Sequence, residues 1–549
     1  MSAAEPIPAH TFATVRGMEA PLIAEARAQG RPDALMERAA KGVADAVRGL
    51  LERPRDGLWA PGAVGHSATN GSAARGSGAQ EGAAPRVVAL VGSGDNGGDA
   101  LYACAILQDA GTACMALLLK PGAHERALGR ARAAGVAVVD LAGRPLDQWD
   151  GQDAARLAGA RVWIDGIVGT GVRGPLEGAL ADAVRALAAL KRSTGPAVVA
   201  VDVPSGLTDS RGEVAGPLLP AEVTVTMGAH KEALALPPAA GSAGRIELVD
   251  LGLGPADAER TPPVALHTAA SAAAHYPAPA FEDHKYTRGV VGVVAGSDTY
   301  PGAGVLAVRG ALASGAGMVR LNSTRRVEDL VLAAEPGVVT AGGRVQAGLI
   351  GPGLDEARRA EALELAEFCL DAPLPLVVDA WALDLVPGLV ERTRPAALTI
   401  TPHYGEAARL LTALGSPTTR ARVADAPLRA AQSLHELTGA TVVLKGAVTI
   451  VYGAARAIVA PQGCGWASVA GSGDVLAGLV AGTHAGAQAR RERDGAHGHD
   501  PVAEAAAAVW VHGEAARLAA RAGNAPGQPV QARQIADAIP PVIGGILGA

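Results

Sequence analysis

Aromatic residues are scarce in this chain: Phe, Trp and Tyr together make up 3% of 549 residues. Cores must therefore be packed with Ala, Val and Leu, and the hydrophobic share of 49% is large enough for that. Only four cysteines occur, Cys104, Cys114, Cys369 and Cys464, and none forms a C-x-x-C pair. That excludes a disulfide scaffold and the usual zinc signatures, and free thiols suit a reducing cytoplasm. Positive charge is not in surplus, because the net charge is -6. No partnership with nucleic acid or an anionic membrane is expected. Apolar runs stop short of spanning length, and no basic segment leads into an apolar core at the N-terminus. Neither a membrane span nor a signal peptide is expected. The G-x-x-x-x-G-K-[ST] signature is missing as well, which sets aside a P-loop NTPase.

What is present is a repeated alternation of strand and helix patterns. A chain of this length is too long for one ordinary core, so two or more domains are expected. Residues 11–50 read as helical, with apolar positions at i, i+4 spacing. Residues 52–85 lose that periodicity to Gly, Ala, Ser and Pro, the pattern of a flexible insertion. Strands follow at 86–91, 115–119, 136–139, 162–164 and 198–201, with closing strands at 224–227 and 245–249. A helix is expected from Ala100 and another over 126–134. Pro and Ala dominate 255–279, which puts a domain boundary near residue 260. A second alternation has strands at 290–294, 349–350, 376–378, 398–400 and 442–444, a polar loop over 488–500 and a final helix over 503–522. Both halves, 1–260 and 261–549, read as α/β with parallel sheets.

The stretch Val469-Ala-Gly-Ser-Gly-Asp-Val-Leu-Ala-Gly-Leu-Val480 carries the densest chemistry. Its glycines let backbone N–H groups approach an anion, and a helix starting there adds the positive end of its dipole. Asp474 would stand beside a bound phosphate, placed to accept a proton from an attacking hydroxyl. A glycine turn opening a core helix, with Asp474 as a dipole partner, is an equally good reading of this stretch alone. In the first half, Gly92-Ser-Gly-Asp-Asn-Gly97 matches G-x-G-x-x-G after a strand. No acidic residue stands about 20 positions on to hold a ribose, which argues against nicotinamide as a redox cofactor. Asp165 and Asp202 each end a strand and lead into a Gly- or Ser-containing loop. Ligands of open parallel sheets bind at such ends, so Asn96, Asp99, Asp165, Asp202 and Ser205 would converge on one crevice.

Two resemblances sharpen these expectations. Thr401-Pro-His-Tyr-Gly-Glu406, Val442-Val-Leu-Lys-Gly-Ala-Val-Thr449 and the Asp474 stretch resemble ribokinase-like nucleotide-binding proteins. More closely they resemble ADP-dependent NAD(P)H-hydrate dehydratases, together with His284-Lys285, Tyr300-Pro-Gly-Ala303, Ala313-Ser-Gly-Ala-Gly317 and Ile350-Gly-Pro-Gly-Leu354. This resemblance implies a ribokinase-like three-layer domain. Lys445, Gly446, Ala447, Val448, Thr449 and Gly473 would contact ADP, and Ala303, Gly353, His403 and Asp474 the hydrated dinucleotide. Asp474 would be the base, and Mg2+ would accompany the nucleotide. Asp379 keeps the family's residue, while Trp381 and Tyr404 stand where the family favours Asp and Pro.

Residues 10–255 resemble the NAD(P)H-hydrate epimerases, on Gly92–Asp99, Trp163–Pro175 and Ala200–Gly206. That implies a Rossmann-like three-layer domain. Asp95, Asn96, Gly97, Gly98 and Asp99 would hold substrate on one side, and Gly169, Thr170, Gly171, Val172, Arg173, Gly174 and Pro175 on the other. Asp202 would bind the substrate and move the proton, and K+ would sit on Asn96, Asp165 and Ser205. Lys231 matches a lysine often present in the family. The resemblance therefore implies a bifunctional, cytoplasmic, homo-oligomeric enzyme acting on hydrated NADH and NADPH with ADP as co-substrate. The alternative is a ribokinase-like vitamin kinase carrying an N-terminal ligand-binding module.

Overall fold

The computed structural model describes residues 5–52, 85–144, 149, 151–172, 174–254, 264–392, 398–460, 464–495, 500–521 and 527–548. The chain divides into two compact units, one of Ala9–Pro262 and the other of Met1–Pro8 with Pro263–Ala549. The insertion expected at 52–85 and the boundary expected near 260 fall almost wholly outside the described residues, as does Arg173.

The first unit holds a seven-stranded parallel sheet. Its order is Ala137–Asp140, Cys114–Leu118, Val87–Val91, Val162–Gly166, Ala197–Val201, Val223–Met227 and Arg245–Val249. Inner strands such as Val87–Val91 are short continuous Val/Leu/Ala runs because both faces are covered. Val87, Ala89 and Val91 pack with helices Ala34–Glu52 and Asp95–Asp109. Val88 and Leu90 face the opposite core, with Val184 and Leu187 of helix Gly178–Thr194. The chain works outward from Val87–Val91 on one side and then crosses to Val162–Gly166 on the other. The loops after these two strands therefore diverge and leave a crevice at their carboxyl ends.

The second unit runs Met318–Asn322, Val290–Val294, Ala347–Ile350, Leu376–Val378, Leu398–Ile400, Thr441–Leu444, Thr449–Gly453, Arg456–Ala460 and Val264–Leu266. The first six are parallel, and Thr449–Gly453 is antiparallel to both neighbours. One face carries helices Pro301–Ala313, Ser472–Asp494, Pro501–Ala520 and Ala532–Leu547. The first two cross almost backbone to backbone. A Cβ on Gly310 would strike the Val475 carbonyl, and one on Gly478 the Ala307 carbonyl. The other face carries helices Arg359–Asp371, Tyr404–Ala413 and Pro427–Thr438.

Two expectations need correction. The helix after the first glycine loop begins at Asp95 rather than Ala100. Its first turn is thus made by the loop residues themselves, which directs their N–H groups outward. The loop expected over 488–500 is helical through Asp494. There the polar side chains satisfy one another along the helix: Arg491 donates to Gln488 Oε1 at 2.8 Å and Gln488 to Glu492 Oε1 at 3.2 Å. Arg491 also reaches Glu504 at 3.1 Å.

Two candidate active sites

In the first unit, the crevice gathers what the sequence proposed. Asp165 ends strand Val162–Gly166 with its side chain fully buried. Ser205 donates to it twice, through N to Oδ2 at 2.8 Å and through Oγ to Oδ1 at 2.5 Å, and Ile167 N donates at 3.3 Å. Burial pushes the Asp165 carboxyl up to about 6 against those donors. Asn96 Nδ2 donates to Val201 O at 2.6 Å, and its amide fills the space a Cβ on Gly169 would need. Gly169 is thus a close-approach position, and the loop through Thr170, Gly171, Val172, Gly174 and Pro175 starts against Asn96.

Asp202 adopts φ +65°, a left-handed conformation that is unusual outside glycine and is held here by many bonds. Its own N donates to Val225 O at 2.7 Å, and its Oδ1 accepts from Lys231 Nζ at 2.7 Å and Met227 N at 3.0 Å. Lys231 is 1% exposed and also donates to Thr226 Oγ1 and Met227 O. A buried ammonium with three oxygen partners gives Lys231 a definite role that the sequence left open. Asp99 is buried, and its carboxyl lies well above the usual range, chiefly through burial and then through Asp202, Asp95 and Glu19. Glu19 escaped the sequence reading. It lies on helix Phe12–Ala28 and is pushed up to about 7 by burial and by Asp202. The available signal was its position three residues after Arg16, which puts the two charges on one face of the helix.

In the second unit, Asp379 follows strand Leu376–Val378 and is 1% exposed. Its Oδ1 accepts from Lys445 Nζ and Thr401 Oγ1, both at 2.6 Å. Burial opposes the Lys445 charge, yet Asp379 and Glu406 hold its pKa above the ordinary lysine value. Asp474 lies in the first turn of helix Ser472–Asp494, after Gly471. Burial first and Asp379 second push its carboxyl up to about 7, with Lys445 pulling the other way. Gly473 is within reach too, since a Cβ there would lie 3.4 Å from Lys445 Nζ. His512, also unforeseen, pins this helix start: its Nε2 donates to Ser472 O at 3.1 Å. Burial depresses its pKa to about 4, so the ring is neutral at pH 7.

Gly446, Ala447 and Val448 form the turn between strands Thr441–Leu444 and Thr449–Gly453. Gly446 packs under the Tyr404 hydroxyl. His403 caps helix Tyr404–Ala413: its Nδ1 accepts from Gly405 N at 3.0 Å and Glu406 N at 3.1 Å, and its Nε2 lies 3.5 Å from Glu406 Oε1. Ala303 and Gly353 meet elsewhere on the same strand ends, where a Cβ on Gly353 would collide with Ala303. Thr401 could have been singled out as a polar residue ending an apolar strand, but the residue it shares with Lys445, Asp379, lies 22 residues before it and 66 before Lys445.

Each unit is a parallel α/β layer structure with a carboxylate–ammonium pair at the strand ends and glycine-lined backbone beside it, which is the architecture of an enzyme with two active sites. The comparisons with known proteins agree. The profile for the YjeF-related protein N-terminus matches residues 32–233, and that for NAD(P)H-hydrate dehydratase matches residues 291–541. The chain is 40% identical over 481 residues to a bifunctional NAD(P)H-hydrate repair enzyme of Mycobacterium tuberculosis, covering 85% of this chain and 87% of the relative. It is 37% identical over 524 residues to one of Mycobacterium leprae, covering 93% and 94%. Among solved structures, an ADP/ATP-dependent NAD(P)H-hydrate dehydratase of Bacillus subtilis is similar at 26% identity and TM-score 0.42, covering 51% of this chain and 97% of that one. This chain belongs to the family of bifunctional NAD(P)H-hydrate repair enzymes. The vitamin-kinase alternative finds no such support.

Proposed function

We propose that the first unit interconverts the R and S epimers of hydrated NADH and NADPH. The second unit dehydrates the S epimer at the expense of ADP and releases AMP and phosphate. The observation that carries this reading is that each compact unit has its own buried pair, Asp202 with Lys231 and Asp379 with Lys445. In the second unit, ADP phosphorylates the ring hydroxyl and so turns a poor leaving group into a good one. Asp474 takes the hydroxyl proton, Lys445 and the Gly446–Thr449 turn neutralise and orient phosphate, and elimination returns the reduced ring. Ala303, Gly353 and the exposed ring of His403 border the hydrated dinucleotide.

In the first unit, the Asp95–Asp99 turn and the Gly169–Pro175 loop grip the substrate, and Asp202 moves the proton. A monovalent cation fits beside Asp165: the carboxylate is fully buried, and among the described residues no lysine or arginine pairs with it. Asn96, Asp165 and Ser205 would hold K+ with oxygen ligands, and the ion would supply positive charge next to substrate phosphates. Among the described residues no cluster of three or more His, Cys, Asp or Glu could cage a metal. Mg2+ would accompany the nucleotide in the second unit, a hard cation suited to phosphate oxygens, and would neutralise charge developing there. The four cysteines are unpaired, as suits a reducing cytoplasm. No helix among the described residues is long and apolar enough to cross a membrane.

The test is incubation with mixed hydrate epimers, with and without ADP, following reduced-nicotinamide absorbance. Full recovery with ADP and none without it is the expected result. Recovery of only half the material would remove the epimerase step, and ADP-independent recovery would remove the phosphorylation step.

A further inference from the structure

We propose that the second unit carries a further binding site, at the end of its sheet opposite the candidate active site, for a small organic anion that joins a phosphate monoester to a compact apolar group. The proposal is independent of both activities given above. It starts from two stretches that the active site leaves unused, His284-Lys285 and Ala313–Gly317. They meet at the amino ends of strands Val290–Val294 and Met318–Asn322, where a Cβ on Gly317 would strike the Lys285 backbone. A cavity of about 240 Å³ lies beside them, with Thr287, Arg288, Ser314 and Gly315 in its wall. Helix Ser472–Asp494 supplies Gly482, Gly486 and Arg490 to the same wall. Asp474 stands at the other end of that helix, about 24 Å from Arg490 along the axis at roughly 1.5 Å per residue. The cavity is therefore no part of the nucleotide site.

The wall is positive. Arg288, Arg490 and Arg493 line it, against one acid, Asp283. Arg493 is already neutralised, by Asp283 at 3.1 Å and Asp494 at 2.7 Å. Among the described residues neither Arg288 nor Arg490 pairs with a carboxylate. Arg288 donates to Gly315 O at 2.9 Å and Arg490 to His275 O at 3.3 Å. Glu504 and Asp494, the acids whose charge reaches Arg490, are held by Arg491 and Arg493. Arg490 is half-buried, and burial pushes its pKa down, as befits a cation short of counter-charge. The two free cations share a corner. Arg490 Nη1 lies 3.4 Å, and the Arg288 carbonyl 3.7 Å, from where a Cβ would stand on Gly486.

The hydroxyls of the wall are engaged elsewhere. Ser314 Oγ donates to Ala311 O at 2.7 Å, Thr287 Oγ1 to His284 O at 2.9 Å and Thr483 Oγ1 to Leu479 O at 2.8 Å. The Tyr276 hydroxyl lies 2.8 Å from Thr483 Oγ1. What the cavity offers a ligand is guanidinium N–H, together with apolar surface from Pro277, Ile543 and Leu547. Two unmatched positive charges suit a phosphate monoester, which carries a charge of about -1.5 to -2 at pH 7. The planar fork of each arginine fits phosphate oxygens two at a time. The volume is below the roughly 300–1,000 Å³ of pockets for drug-sized ligands, so the apolar part is a single ring or a short chain.

The probe is phenyl phosphate, titrated calorimetrically at low salt into the full chain with ADP present at saturation. The parent should bind it with a Kd of about 1 mM or tighter. Arg288→Gln and Arg490→Gln should each weaken that binding about tenfold or more and leave ADP-dependent dehydration within about twofold of the parent. Inorganic phosphate, which lacks the ring, and benzyl alcohol, which lacks the charge, should each bind about tenfold more weakly than phenyl phosphate. Phenyl phosphate bound elsewhere on the chain is retained by the variants, so the site is read as the binding they lose. Affinity unchanged in both variants, or no binding to the parent at about 10 mM, overturns the proposal. Inorganic phosphate bound as tightly as phenyl phosphate overturns it too, because the apolar wall then takes no part. If Arg490→Gln does not fold, as judged by thermal unfolding, the exposed Arg288→Gln decides alone.

Discussion

Replacing Asp474 by Asn removes the only acid–base function at the start of helix Ser472–Asp494 while leaving its size unchanged. Loss of a general base costs about 10²–10⁴ in rate, equivalent to roughly 3–5 kcal/mol of barrier at 1.36 kcal/mol per tenfold. ADP affinity should stay near that of the parent, because Lys445 and the Gly446–Thr449 turn are untouched. The pH profile gives a second reading. Asp474 titrates at about 7 and works as the carboxylate, so dehydration by the parent should fall tenfold per pH unit below 7. The residual activity of Asp474→Asn should be flat there.

Stability should move the other way. The folded-state pKa is raised, from 3.8 to about 7, so the folded protein binds the proton more tightly than the unfolded chain. Stability therefore declines as pH rises from 3.8 to 7, and the loss is complete above 7. Multiplying the shift by 1.36 kcal/mol per unit gives an upper bound on the order of 4 kcal/mol. Asp474→Asn should accordingly unfold at a higher temperature than the parent at pH 8, and the difference should shrink toward pH 4. The assay is S-hydrate dehydration across pH 5–9, with thermal unfolding at the same points. Dehydration within tenfold of the parent, or a variant less stable at pH 8, would refute the reasoning.

Lys445→Met should leave Asp379 as an uncompensated buried charge. Stability should drop by about 3–5 kcal/mol, and ADP affinity should fall with it, as denaturant unfolding and nucleotide titration will show. Asp165→Ala should abolish epimerisation together with its response to monovalent cations; equal rates in potassium and in a bulky organic cation, for parent and variant alike, would eliminate the ion site. Fragments 1–260 and 261–549 should each fold and keep one activity, and mixing them should clear both epimers. Clearance of R hydrate by the second fragment alone, faster than spontaneous epimerisation, would end that idea.

Much of the layer structure was legible because a strand buried on both faces is a continuous run of Val, Leu and Ile, as in Val87–Val91 and Val290–Val294. The strands that escaped carry a polar or mixed pattern. Met318–Asn322 contains Arg320, and Arg456–Ala460 follows the two-residue turn Ala454-Ala455 in a hairpin without the usual glycine. Helix Ala532–Leu547 was hidden by Pro540 and Pro541, which ordinarily argue against a helix interior. The arginine-rich segment to Asp494 read as a loop because its stabilising partners are side chains of its own turns and Glu504 of the next helix.

The sequence by itself determined the two α/β halves, the glycine turns, and the carboxylates that end strands or begin helices. These are local matters: periodicity and turn chemistry act over a few residues, and Asp165, Asp202 and Asp474 each announce themselves beside such a turn. Only the tertiary structure decided how those carboxylates are charged and which of them share a task. Lys231 meets Asp202 across 29 residues, Lys445 meets Asp379 across 66, and the charge of Asp202 helps raise the pKa of Glu19 on a helix near the start of the chain. The physical reason is that a carboxyl's pKa depends on burial and on charges within a few ångströms. Parallel strands linked by crossover helices bring such neighbours together from positions far apart in the chain.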